Sequence, residues 1–177
     1  MATNVKIPNM LKDANVYVNG EDFLGKAELE PPKVSQLTED YTAMGISGKV
    51  NLPFHGHVDS MEGTLKFSSI VADAHKILCD PSTAHHVDVR GSVQQYDTQS
   101  GKMEEFPVKI ILRAFFKETS HPTYKGAQNE GPEFTFSAVY MKVTIDGSDV
   151  LEVDPLAYIY RVDGTDVLQQ TKTNLGM

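Results

Sequence analysis

The chain has 177 residues, 40% hydrophobic and 23% charged. That is long enough for one real core and too apolar for a chain disordered throughout. Against 24 Asp and Glu stand 16 Lys and Arg, a net charge of −8, which argues against a protein that grips nucleic acid by its phosphates, since that needs a positive face.

Cys79 is the only cysteine, so no intrachain disulfide and no cysteine-only metal site are expected. The first residues, MATNVKIPNMLKDANV, contain no apolar segment of the secretory type. No run of about 18 apolar residues occurs, so no transmembrane helix and no membrane insertion of the monomer are expected. A reducing cytoplasm is the expected place of synthesis.

Residues 1–12 read as an arm, with Ile7, Met10 and Leu11 as apolar side chains lacking a clear period. It is either a loose terminus or a segment that docks on a neighbouring copy. Asn15 to Val18 is a short strand, Asn19-Gly20 a hairpin turn, and Phe23 to Leu29 the return. Pro31-Pro32 breaks the ladder, and Lys33 to Asp40 continues as a polar strand. Tyr41 to His57 holds Gly45, Gly48 and Gly56 with few large apolar residues, which predicts a mobile loop or projecting hairpin.

Asp59 to Phe67 alternates: Met61, Leu65 and Phe67 inward, and Ser60, Glu62, Thr64 and Lys66 outward. Ser68 or Ser69 then caps a helix over about 69–79, with Ile70, Val71, Ala74, Ile77 and Leu78 as its apolar stripe and Pro81 beyond its end. Val87 to Tyr96 is a strand. Phe106 to Lys117, the most apolar run, is a central strand, and Glu118 to Glu133 is a long polar loop.

Val139 to Val162 is the organising meander. Val139, Met141, Val143 and Ile145 share one face, and Tyr140, Lys142, Thr144 and Asp146 the other. Asp146-Gly147 turns the chain, Pro155 stops the returning strand, Leu156 to Val162 resumes it, and Asp163-Gly164 turns again. The tail, Val167 to Met177, is short and polar. These elements predict a mainly β, antiparallel barrel or sandwich with one short helix and a projecting loop, in a single domain over 1–177.

Chemistry is sparse. His55 and His57 point to one side of an extended segment and, with His85-His86, offer metal-binding donors, but they lack a familiar ligand spacing and read as exposed loop histidines. There is no G-x-S-x-G elbow, P-loop or G-x-G-x-x-G. Asp146, Asp149, Glu152 and Asp154 lack the spacing of a calcium loop. Cys79 reads as a small core residue at the helix end. Tyr140, Tyr158 and Tyr160 could stack a base or sugar, but alternate tyrosines on strands read first as sheet packing. No catalytic residue, metal ligand or cofactor is assigned, and an enzyme is not expected.

Several ordered blocks resemble the FII-type tail-tube proteins of P-two-like contractile phages and the tubes of R-type pyocins. They begin with Asn15-Val16-Tyr17-Val18-Asn19-Gly20, Phe23 and Gly25. Pro32-Lys33-Val34, Glu39-Asp40-Tyr41, Gly45 and Ile46 follow, then Arg90-Gly91-Ser92, Lys117-Glu118 and Tyr124-Lys125-Gly126. The C-terminal blocks are Tyr140 to Val143, Asp146-Gly147, Glu152-Val153-Asp154, Val162 to Asp166, Leu168 and the closing Asn174-Leu175-Gly176-Met177. The chain departs from the family pattern in a longer N-terminus and in Leu52 to His57.

The resemblance implies a virion tail, or a bacteriocin particle, assembled in the host cytoplasm. Hexameric rings stack helically into a hollow tube inside a contractile sheath. A baseplate or spike and a tail terminator cap it, and a tape measure protein occupies the lumen during assembly. DNA passes without specific binding in a phage; a pyocin tube punctures a membrane. An acidic lumen would repel phosphates and let DNA slide.

On this basis Met44, Gly45, Ile46, Ser47, Gly48, Lys49, Leu52 and Phe54, within the projecting loop at 44–56, are expected at the contact between rings. Ile7, Met10 and Leu11 of the arm, and Asn174, Leu175 and Met177 of the tail at 167–177, are expected between protomers. Ser60, Glu62, Thr64, Lys66, Lys142 and Thr144 are candidates to line the lumen. Two alternatives stay open: a monomeric β-barrel ligand-binding module using Tyr158 and Tyr160, and a tube ring of another contractile injection system.

Overall fold

The computed structural model describes residues 6–20, 22–25, 27–121 and 131–177. Within them the chain forms β1 (Lys6–Val18), β2 (Asp22–Gly25), β3 (Ala27–Glu30), β4 (Gln36–Tyr41), β5 (Val50–Val58) and β6 (Met61–Phe67). Then come α1 (Ala72–Leu78), β7 (His85–Asp97), β8 (Met103–Ser120), β9 (Glu133–Ile145), β10 (Ser148–Asp154), β11 (Ile159–Val162), β12 (Thr165–Asp166) and α2 (Gln169–Leu175). The 10-stranded antiparallel sheet runs β12-β11-β10-β9-β8-β7-β1-β2, and β6 pairs with β9 and then with β3. β4 and β5 stand apart as a 2-stranded sheet.

The turns follow from residue type. Asn19-Gly20, Asp146-Gly147 and Asp163-Gly164 all have positive φ at both residues, the type I′ geometry that matches strand twist and that Asx-Gly pairs adopt at low cost. The apolar run at Phe106 to Lys117 lies within β8, hydrogen-bonded to β7 on one side and β9 on the other, as a central strand should be. β6 alternates as its sequence predicts, with Met61, Leu65 and Phe67 buried and Glu62 and Lys66 exposed.

The sheet curls around a core of Val16, Val18, Met61, Leu65, Phe67, Leu112, Phe116, Phe134, Phe136 and Met141, closed by Ala74 and Leu78 of α1. Burying each large side chain contributes about 1.5–3 kcal/mol before chain entropy is counted. Phe134 anchors the aromatic part, edge-on to both Phe67 and Phe116.

Several expectations change. The arm is strand from Lys6 onward, paired with β7 as far as Lys6↔Asp97; residues 1–5 lie outside the described residues, as do 122–130 of the long polar loop. α1 spans only Ala72–Leu78 and starts at Val71 without a side-chain cap, so Ser68 and Ser69 do not cap it. A second helix, α2, forms in the tail and stops at Gly176 with φ 73. Cys79 is exposed, because the short α1 turns Ala74 and Leu78 to the core and Cys79 falls one position past that stripe. His85 is buried at 7% exposure, its ring against Phe116, and is not a loop histidine. Leu156 to Val162 is strand only from Ile159; before it the chain turns, with Tyr158 at φ 53.

Candidate assembly surfaces

Among the described residues three surfaces are candidates for assembly. The first is the β4–β5 hairpin. Its register pairs Tyr41 with Val50 and Glu39 with Leu52. Directly opposed residues share a face and residues two apart stay on it, so Leu37, Glu39, Tyr41, Val50, Leu52 and Phe54 form one side. The five apolar members are 40–53% exposed. The other side is polar: Asp40 accepts a hydrogen bond from Asn51 at 2.9 Å and an ion pair from Lys49 at 2.6 Å. Asn51 and then Lys49 hold the Asp40 carboxyl below its ordinary value.

Met44 is fully exposed at the tip and Ile46 is 41% exposed. Gly45 sits at φ +94, a conformation that excludes most side chains. Ser47, Gly48 and Lys49 complete the tip between the strands. The expected loop is therefore the tip of a hairpin plus strand β5 from Val50. Isolated two-stranded hairpins are marginal in water, and this one leaves its apolar side uncovered.

The second surface is the sheet face turned away from the core. β6 lies on β9 with Glu62↔Ser137, Thr64↔Thr135 and Lys66↔Glu133, and further along β9 the same face carries Tyr140, Lys142 and Thr144. The parity changes once. Ala138 faces Ala114 while Tyr140 faces Arg113, so Val139 is bulged out, and Phe134, Phe136 and Ala138 are the buried residues before it. Five of the lumen candidates, Glu62, Thr64, Lys66, Lys142 and Thr144, thus share one continuous face, and Ser60 lies in the short connection just before β6.

That face is laced with ion pairs. Glu62 meets Lys117, and Thr64 donates to Glu30 at 3.4 Å. Lys142 and Thr144 both bind Asp149, at 2.8 and 2.9 Å, and hold its carboxyl below its ordinary value, Lys142 most of all. Asp88 meets Arg90 at 2.7 Å and Lys109 at 3.1 Å, Arg113 meets Asp154 at 3.2 Å, and Arg161 meets Glu152 at 2.8 Å. Arg90 also lies over the Tyr17 ring, 4.7 Å from its centroid. The face is a mosaic of paired charges, not the uniformly acidic wall that net charge suggests. Asp88, Arg90, Lys109 and Arg113 were missed as members of this face; charged residues two or four apart, Asp88 and Arg90 on β7 and Lys109 and Arg113 on β8, are the signal that marks them.

The third surface comprises the terminal segments. Ile7, Met10 and Leu11 are 48%, 63% and 57% exposed. Asn174 accepts a hydrogen bond from Gln170 at 2.9 Å, and Leu175 and Met177 at the end of α2 are 59% and 69% exposed. Lys172 binds Asp166 at 2.7 Å, and Asp166 also accepts the Leu168 N–H at 3.0 Å; Lys172 is the main cause of the depressed Asp166 carboxyl.

Histidines are not gathered into a ligand set: among the described residues no group of three or more His, Cys, Asp or Glu is placed to hold a metal ion. A cleft of about 350 Å³ is lined by Asn19, Gly20, His86, Val87, Asp88 and Ile111, not by Tyr158 and Tyr160.

Comparison with known proteins follows the whole chain. A family model described as "Phage tail tube protein FII" matches residues 8–176. The tail tube protein of Escherichia phage P2 is 30% identical over 181 residues, 97% of this chain and 99% of that protein. The major tail tube protein of Serratia phage KSP20 is 24% identical over 162 residues, 91% of each. Among solved structures, the sheath/tube terminator of the extracellular contractile injection system PVC, in its extended state, matches with a TM-score of 0.52 at 17% identity, covering 77% of this chain and 96% of that one. The sheath-tube complex of the same system matches with a TM-score of 0.50 at 16% identity, covering 77% and 91%.

Proposed function

Since the chain belongs to the FII family of phage tail tube proteins and is a structural tube protein, we propose that it forms hexameric rings that stack helically into the hollow inner tube of a contractile tail. The match to tail tube proteins along nearly the full length carries this reading. The exposed strand edges and uncovered apolar surfaces support it, being liabilities in a monomer and useful in a polymer. Joining the sheets of neighbouring protomers removes the edges, and a head-to-tail contact between rings propagates as a helix.

In this reading the role is structural, with no catalytic chemistry. The apolar side of the β4–β5 hairpin and its tip contact the next ring. Ile7, Met10, Leu11, Asn174, Leu175 and Met177 lie between protomers. The ion-paired face lines the lumen. Its cations are already neutralised by Asp88, Asp149, Glu152 and Asp154, so few counterions are released on meeting phosphates and DNA slides past. Sheath, baseplate or spike and terminator are the outer partners, with a tape measure protein in the lumen during assembly. The particle is a virion tail or a bacteriocin.

Leu52→Asp and Phe54→Asp test the ring contact. Both positions are about half exposed, so the variants should fold with wild-type thermal stability and form no tubes by electron microscopy. Tubes of normal length from either variant would remove the hairpin from the contact.

A further inference from the structure

β9 ends at Ile145, opposite Val108, but β1, β7 and β8 run on past it as a three-stranded blade. Along the blade the register aligns Leu11 with Val93 and Val93 with Phe106. Val93 and Phe106 keep the parity of Val89 and Ile110, and a bulge at Lys12 in β1 brings Leu11 to the face of Val16, so the core-facing side of the sheet continues beyond the core. Leu11 confirms the direction: its Cδ1 lies 2.9 Å from where a Cβ on Gly91 would sit. Here that apolar side is open at its margins, with Leu11 57% and Ile145 37% exposed, and Val93, Phe106 and Val108 between them are half-buried.

The chain thus presents two unpartnered apolar β surfaces, one on the hairpin and one on the blade. We propose that the apolar side of the β4–β5 hairpin of one copy seats on the blade of an adjacent copy, across Leu11, Val93, Phe106, Val108 and Ile145. This rests on the tube reading and names the surface that receives the hairpin, which places Leu11 at the contact between rings. Size is the first argument. Tyr41 and Phe54, each about half exposed, offer on the order of 100 Å² apiece. With Leu37, Val50 and Leu52 the hairpin side supplies roughly half of the ~800 Å² that one partner of a specific interface buries. Leu175 at the end of α2 and Met177 beyond it are too small a patch to match it.

Shape is the second argument: both surfaces are faces of antiparallel strands, which pack face to face at about 10 Å with interdigitated side chains. Topology is the third. Donor and acceptor are different surfaces of one chain, so the contact is heterologous and each added copy leaves one surface of each kind free. That is what growth of a tube requires. Covering the hairpin also removes the instability of a lone two-stranded ribbon.

The experiment is cross-linking in assembled tubes. With the exposed Cys79 replaced (Cys79→Ser), Phe54→Cys and Leu11→Cys are combined in one chain and treated with a short bismaleimide. The expected result is a ladder of covalent multimers on a denaturing gel. A control pairing Asn51→Cys, on the polar side of the hairpin, with Leu11→Cys should ladder at least tenfold less. Leu11→Asp alone should fold normally and cut tube mass at least tenfold. Tubes that form without a Phe54–Leu11 ladder overturn the proposal while leaving the tube reading intact. So does a link confined to the monomer, which would place the hairpin on its own blade, or to a closed dimer. Failure of the unsubstituted protein to assemble, even when seeded by a baseplate, would instead overturn the tube reading.

Discussion

Gly56 of β5 lies directly against Leu168, the residue that starts α2: a Cβ on Gly56 would fall 2.5 Å from Leu168 Cδ2. Leu168 is 4% exposed and Gly56 has φ +73, so both space and backbone conformation require glycine there. Through this contact the base of the projecting hairpin is fixed to the C-terminal helix.

Gly56→Ala should therefore lower unfolding free energy by about 1–3 kcal/mol through overpacking and backbone strain, read by denaturant titration. It should also loosen α2, seen as faster amide exchange at Lys172 and Thr173. Gly48→Ala, with open space around it and no positive φ, is the control and should change little. Equal stability of the two variants would contradict the packing argument.

Acid should release the same helix. The Asp166 carboxyl is held below its ordinary 3.8, chiefly by Lys172. Above pH 3.8 the group is ionised both folded and unfolded, and its contribution is fully present. As pH falls from there toward the lower folded pKa, the unfolded chain takes up the proton first and the contribution is lost. Exchange protection in α2 should fall across that window, and Asp166→Asn should lower protection at neutral pH and remove that dependence on acid. A helix equally protected in the variant would show that the ion pair does not hold it.

At the alkaline end, Tyr140 is pushed up to about 12 by burial first and then by the negative charge of Glu152, which accepts its hydroxyl at 3.2 Å. The folded state keeps this proton longer than the unfolded chain, so its contribution is full below pH 10 and is lost as pH rises from 10 toward 12. The difference in tyrosinate absorbance between wild type and Tyr140→Phe should titrate with a midpoint near 12. A midpoint near 10 would contradict the packing of Tyr140 between β9 and β10.

Local rules read this chain well where one interaction decides the outcome. Each of the three Asx-Gly turns falls where positive φ is needed, and β6 keeps its alternation because one side is core and the other solvent. The reading fails where partners distant in sequence decide. Val139 is bulged because β8 and β9 shift register at Arg113/Ala114, which inverts the parity of the preceding half of β9. Lys6 to Leu11 looks unstructured alone and becomes strand because β7 extends to Asp97 to pair with it. α2 has no buried residue, so no apolar period announced it; Leu168 and the Asp166–Lys172 pair secure it. The hairpin was legible as a projection, but its two-sided character depends on the pairing of Leu52 with Glu39. The blade depends entirely on register.

Electron microscopy of the purified protein over a range of concentrations, with and without a baseplate seed, tests self-assembly most directly. The account predicts hollow rods or six-fold rings, with helical reconstruction placing Lys142, Thr144 and Asp149 toward the lumen. Small monodisperse particles at every concentration, seeded or not, would contradict it.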